Sequence, residues 1–188
     1  FINDIGFETY HKILDEAIAE LKENEFSDLF DKETELVYVT DCAIETDMEV
    51  MLPSEYVSST AERISLYTEL DHIKTEERLI EFTNQLIDRF GPIPKPVNDL
   101  LNTVRLRWIA KDLGFEKIAL RDNLMTAHFV SNQESPYYET ETYHQVMQYI
   151  INHPKRCALK QTESKLILTI KEVSTVTQAL EIVRAMEE

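Results

Sequence analysis

Residues 86–101 read LIDRFGPIPKPVNDLL, and no other stretch limits the fold as tightly. It uses one of the chain's three glycines and three of its six prolines within six residues. Upstream, Leu79, Ile80, Phe82, Leu86 and Ile87 run at helical spacing to Phe90. Thr75 is placed to cap that helix, and Glu76 and Glu77 set negative charge at the positive end of its dipole. Gly91 suits a left-handed C-terminal cap, and Pro92 and Pro94 forbid continuation because proline has no N–H and clashes with the preceding turn. Pro96 then falls in the first turn of a new helix, where a missing N–H costs nothing. That helix carries Val97, Leu100, Leu101, Val104, Trp108, Ile109 and Leu113 and stops at Gly114. The stretch therefore predicts a stiff elbow between two helices, with dihedrals fixed before folding begins.

Around the elbow the pattern alternates between periods. Phe7, Tyr10, Leu14, Ala17, Ile18 and Leu21 predict an amphipathic helix, followed by an acidic, aperiodic stretch over residues 24–41 that reads as a linker. Ile44, Thr46, Met48 and Val50 alternate with Glu45, Asp47 and Glu49, which predicts a half-buried strand with an acidic outer side. Ser59 or Thr60 opens a helix with Ile64, Leu66, Tyr67, Leu70 and Ile73 as its apolar stripe. Beyond Gly114, FEKIALRD and LMTAHFV form a hairpin across Asp122-Asn123, followed by a helix from Ser135-Pro136 to about His153. RCALKQT and KLILTIKEV form a second hairpin, followed by a helix from Ser174 or Thr175 to Met186. Two ββα units in succession predict an α+β fold: a helical segment, then an antiparallel sheet with helices packed on one face.

Charge decides which partners suit such a chain. Of 188 residues, 35 are acidic and 19 are Lys or Arg, a formal net of −16, with −13 falling in residues 1–60. Nucleic-acid binding relies on Lys and Arg to displace phosphate counterions, so direct binding of DNA or RNA is not expected. Basic partners suit the acidic end. No apolar run approaches membrane length, which argues against a membrane partner. Cys42 and Cys157 form no spaced motif, and two reduced thiols in a cytoplasmic protein are expected. The chain opens on Phe1 and reads as a piece of a longer protein.

No phosphate-binding loop and no nucleophile elbow is present. The strongest candidate for chemistry is the acidic strand over 41–49, where Asp41, Glu45, Asp47 and Glu49 offer oxygen ligands or an acid–base pair for a metal-dependent hydrolase. The bland reading, a solvated strand face, predicts the same alternation. His11, His72, His128, His144 and His153 show no metal-ligand spacing. Trp108 sits at core phase. Arg105, Arg107 and Lys111 give their helix a small basic side that reads as solvated. The tyrosines of SPYYETETYHQ fit an interface or a helix start packed on the core.

A set of motifs narrows the choice: Ile5-Gly6-Phe7 with Tyr10, Leu14 and Glu16-Ala17; Leu52-Pro53 with Tyr56; Arg63 with Tyr67; Leu86 through Gly91 with Pro94; and Leu100-Leu101 with Arg105-Leu106-Arg107. Up to about residue 114 this pattern resembles the C-terminal end of the bacterial transcription-repair coupling factors. The resemblance implies a parent that is an ATP- and magnesium-using translocase on double-stranded DNA, which removes stalled RNA polymerase and recruits the excision-repair component UvrA. Residues 1–40 are then the tail of the motor's helical extension plus an acidic linker, and residues 41–188 a C-terminal regulatory domain. The family's domain docks on the N-terminal UvrB-like module of its own chain, hides the UvrA-binding surface, and has no catalytic, cofactor or metal site. In the family the helix before the elbow presents acids to that module. Asp88 matches one of them. Gln85 stands where the family has another, and Glu81 and Glu77, one and two turns back on much the same face, are the acids able to compensate. A constitutive assembly module is the remaining reading.

Overall fold

Thr75 and Gly91 bound the helix before the elbow, as the sequence predicts. The structure, a computed structural model, describes residues 37–188; the helix and most of the acidic stretch read over residues 1–36 lie outside the described residues. Helix α1 is Thr60–His72, α2 is Glu76–Phe90 and α3 is Lys95–Asp112. The Ser59 hydroxyl oxygen accepts from the Glu62 N–H and that of Thr75 from the Arg78 N–H, so α1 and α2 each open on a side-chain cap. The Gly91 N–H donates to the Ile87 carbonyl at 2.9 Å. Its φ of 88° is positive as expected, but its ψ of −164° is extended and not left-handed helical. That region is open essentially to glycine alone. A Cβ at Gly91 would meet nothing within 4 Å, so only the backbone forbids a side chain there. Gly91→Ala is therefore expected to destabilise the protein by about 1–3 kcal/mol, read as a lower urea midpoint at unchanged slope.

Pro94 serves as the N-cap of α3 and Pro96 lies within its first turn, where its missing N–H leaves no bond unmade. Leu66 and Leu70 of α1, Leu79, Phe82 and Leu86 of α2, and Val97 and Leu101 of α3 close a helical core with Leu52 and Val57.

The second core lies under a sheet. Strands β1 (Ala43–Thr46), β2 (Phe115–Arg121), β3 (Leu124–Phe129), β4 (Cys157–Gln161) and β5 (Leu166–Lys171) are ordered β1-β2-β3-β5-β4. Both predicted hairpins form. Asp122 and Asn123 turn the first at φ of 53° and 60°, the paired positive values that match strand twist. The two hairpins make an antiparallel ladder, and β1 joins β2 parallel at the edge, so the sheet as a whole is mixed. β1 is shorter than the alternation to Val50 suggests. The Thr46 hydroxyl accepts from the Met48 N–H at 3.0 Å, a local turn that ends the strand.

Helix α4 is Glu141–Asn152, preceded by a 3-10 turn at Pro136–Glu139, and α5 is Val176–Met186. Ile118, Leu120, Met125, Ala127, Leu168 and Ile170 point from one face of the sheet into a core shared with α4, α5 and the second half of α3. The helices pack on that face, as expected. Helix α3 belongs to both cores: Val97 and Leu101 to the first, Leu106 and Ala110 to the second.

Candidate functional site

Helix α2 puts Leu79, Phe82 and Leu86 inward. At 100° per residue, the opposite side carries Glu77, Glu81, Gln85 and Asp88, and all four are exposed. The structure thus places the four sequence-predicted interface residues along one outward ledge. Glu81 pairs with Arg78 one turn back. The side chains of Glu77, Gln85 and Asp88 make no hydrogen bond or ion pair with any described residue. Two residues read from the sequence as part of the apolar stripe flank the ledge instead, between it and the core: Ile80 and Ile87 are 48% and 42% exposed. Each follows a buried leucine by one position, a 100° step that carries it off the core. That adjacency was the signal available in the sequence.

Ile64 and Tyr67 of α1, also read as stripe, are 61% and 37% exposed. Tyr67 has a different task. Its phenolic oxygen accepts from the Leu52 N–H at 2.7 Å. The Tyr56 hydroxyl reaches the carbonyls of Gly91 (2.9 Å) and Leu86 (3.2 Å), and Arg63 donates to the Val57 carbonyl at 2.6 Å. The motif residues around Pro53 and the elbow motif therefore meet, holding the segment before α1 against the end of α2. These bonds fix the pitch of the ledge.

The basic side of α3 is occupied. Arg105 grips Glu76 of α2 with donor–acceptor distances of 2.6–3.0 Å and holds that carboxyl below its usual pKa. Arg107 pairs with Asp41 at 3.3 Å and Asp71 at 3.2 Å. Arg89 pairs with Glu62 and lies over the Phe90 ring. Of the three cations the sequence suggests as a solvated basic side, Arg105 and Arg107 tie α3 to α2, α1 and the segment before β1, each exposed pair contributing about 0.2–1 kcal/mol.

The acidic strand does not build a metal centre. Glu45 is paired with Lys117 at 3.0 Å and Arg121 at 3.2 Å, and the Lys117 hydrogen bond lowers its pKa. Asp47 accepts from the Asp122 N–H at 3.3 Å, and Asp41 is held by Arg107. Among the described residues no group of three or more His, Cys, Asp and Glu is placed to hold a metal ion. The hydrolase reading has no support here.

Other candidates resolve into packing. Tyr137 is buried, with Tyr138 and Tyr143 edge-on to its ring, and its hydroxyl donates to the Leu113 carbonyl at 2.6 Å. Trp108 packs on the helical core, and its Nε1–H finds no acceptor among the described residues. Cys42 and Cys157 are free thiols, and burial pushes Cys42 up to about 12. No helix among the described residues is long and apolar enough to cross a membrane.

Fold and ledge together define an α+β domain in which braced helices present one acidic helix face outward beside an open sheet. Residues 46–140 match the TRCF domain family. A transcription-repair-coupling factor from Escherichia coli K12 is 36% identical over 117 residues, 61% of this chain and 10% of that protein. One from Staphylococcus epidermidis is 34% identical over 120 residues, 63% of this chain and 9% of that protein. This chain thus spans about a tenth of the length of these curated relatives. A solved C-terminal domain of a transcription-repair coupling factor shares the fold, with a TM-score of 0.63 over 78% of this chain and 89% of that one at 18% identity. The chain belongs to the TRCF domain family and corresponds to the C-terminal region of a transcription-repair coupling factor.

Proposed function

We propose that residues 41–188 are a removable lid: a regulatory domain without catalysis of its own, carried by an ATP-dependent DNA translocase of transcription-coupled repair. Its α2 ledge docks on a basic face of the N-terminal UvrB-like module of the parent and masks the surface that UvrA uses. The observation that carries this reading is the outward row Glu77–Glu81–Gln85–Asp88, in which Glu77 and Asp88 are left without a described partner while the adjoining Arg78 and Arg89 are tied to Glu81 and Glu62. Exposed ion pairs of modest individual strength suit a contact that must open. On this reading residues 1–40 are the tail of the motor's helical extension and an acidic linker to the lid.

Asp88→Lys in the full-length protein replaces an attraction with a repulsion. A change of about 1–2 kcal/mol shifts the open-to-docked ratio by about 5–30-fold. UvrA capture, or ATPase rate, is expected to rise accordingly, and Gln85→Glu, which restores the family's acid, to lower both. Values for Asp88→Lys indistinguishable from the unmodified protein in both assays would remove the lid.

A further inference from the structure

The side of the sheet turned away from the helices is built as a trough. Its residues fall in rows read directly from strand register. Ala119, Thr126, Thr169 and Ala158 sit side by side across β2, β3, β5 and β4, forming a floor of small side chains. On one flank runs Lys117–His128–Ile167–Lys160, and on the other Arg121–Leu124–Lys171. Directly opposed residues share a face, and Leu168, Ile170, Met125 and Ala127 point the other way into the core, so these rows face solvent. In a chain of net charge −16, a face walled by Lys117, Lys160, Arg121 and Lys171 is a reversal of sign. His128 reports the same field: its pKa is lowered, first by burial and then by Lys117 and Lys165.

Geometry and charge together point to an occupant. Flanking rows lie four residues apart along each strand, about 13 Å, and an α-helix with its side chains is about 10–12 Å across. From β2 to β4 the floor spans three strand spacings, about 14 Å, the length of about nine helical residues. Small floor residues allow a helix to settle between walls that would meet its carboxylates.

Glu45 occupies one end of the trough. It is in register with Ala119, and it pairs with Lys117 of one wall and Arg121 of the other. It acts as a resident carboxylate that an incoming one must displace. Glu116 is bound to the Ser131 N–H and hydroxyl, and at the ends of the other wall Asp47 accepts from the Asp122 N–H and Glu172 lies beside Arg156. Single-stranded nucleic acid is disfavoured because the rows carry no Phe, Tyr or Trp on which bases stack, and duplex DNA because the chain as a whole is strongly acidic.

We infer that the open face of the sheet, the row Ala119–Thr126–Thr169–Ala158 between its two basic flanks, docks an acidic helical segment of a partner protein. This surface is separate from the α2 ledge and stands whether or not the lid does.

The test uses the full 188-residue chain and a fluorescent Glu/Ala peptide with glutamates spaced three and four apart, read by anisotropy at low and raised salt. Binding is expected to weaken with salt. Lys117→Glu combined with Lys160→Glu should weaken it about tenfold, and Glu45→Gln should tighten it about threefold. Equal affinity for the peptide in the reversed variant overturns the proposal. So does equal binding of a scrambled peptide of the same composition, tighter binding of a DNA oligonucleotide, or self-association of the chain that the same substitutions abolish, since the occupant would then be a second copy. Should the double reversal lower the melting temperature, the Glu45→Gln result decides alone: tighter binding supports the trough and unchanged or weaker binding removes it.

Discussion

Gly114→Ala is expected to cost about 2–5 kcal/mol, the sum of about 1–2 kcal/mol for a non-glycine residue at positive φ and about 1–3 kcal/mol for overpacking. Gly114 ends α3 at a φ of 91°, one residue before β2 begins. A Cβ there would fall on the Cε2, Cζ and hydroxyl atoms of Tyr137. Tyr137 has no room to retreat. It is 1% exposed, its hydroxyl is committed to the Leu113 carbonyl, and Phe129, Tyr138 and Tyr143 surround its ring. Most domains hold only about 5–15 kcal/mol in total, so the variant should unfold at markedly lower urea. Gly114→Asn separates the two causes. Asparagine tolerates positive φ better than alanine but brings the same Cβ, so a loss nearly as large assigns the effect to Tyr137, and near-recovery assigns it to the backbone. Shortening the neighbour, as in Gly114→Ala with Tyr137→Leu, should lose less than the sum of the single variants, because the two positions share one space.

Phe82→Ala should cost about 3–5 kcal/mol, the usual loss for truncating a buried phenylalanine. Phe82 is 2% exposed at the middle of α2, between Leu79 and Leu86, and points into the helical core. Its consequence differs from that of Gly114→Ala because the other side of the same helix is the ledge. Emptying the core beneath α2 lets the helix rotate or settle, which moves Glu77 and Asp88 without altering their charge. In the full-length protein this variant is therefore expected to raise UvrA capture as Asp88→Lys does, while the salt dependence of the residual docking remains. Phe82→Leu, which keeps most of the volume, should cost less than about 1.5 kcal/mol and leave capture unchanged. A folded Phe82→Ala protein with unaltered UvrA capture would separate the ledge from its support.

The elbow, its caps and both hairpins are legible in the sequence because each rests on local chemistry: Thr75 and Ser59 as acceptors, the prolines after Gly91, and the Asp122-Asn123 turn. Residues that depend on distant partners are harder to read. Nothing local tells that Arg105 and Arg107 would reach Glu76, Asp41 and Asp71 on other elements, so they look like a solvated side. The parallel pairing of β1 is set by a strand some seventy positions later in the chain. Alternation past Thr46 continues although the strand has ended, because Met48 and Val50 still pack partly on the core while Asp47 and Glu49 face water. Of the ledge residues, Asp88 and Gln85 were picked out by the family resemblance, and helical spacing added Glu81 and Glu77 on much the same face. The lack of side-chain partners at Glu77, Gln85 and Asp88 among the described residues was not legible, and neither was the exposure of Ile80 and Ile87 on the flank.

Because α3 contributes Val97 and Leu101 to one core and Leu106 and Ala110 to the other, neither half has a boundary at which it can come apart alone. Heat or denaturant should therefore melt ledge and sheet in a single step, with amide exchange in α2 and β3 converging on one opening energy. A lid of the kind proposed, made this way, would lift as a whole or stay down as a whole, with no half-open form to linger in.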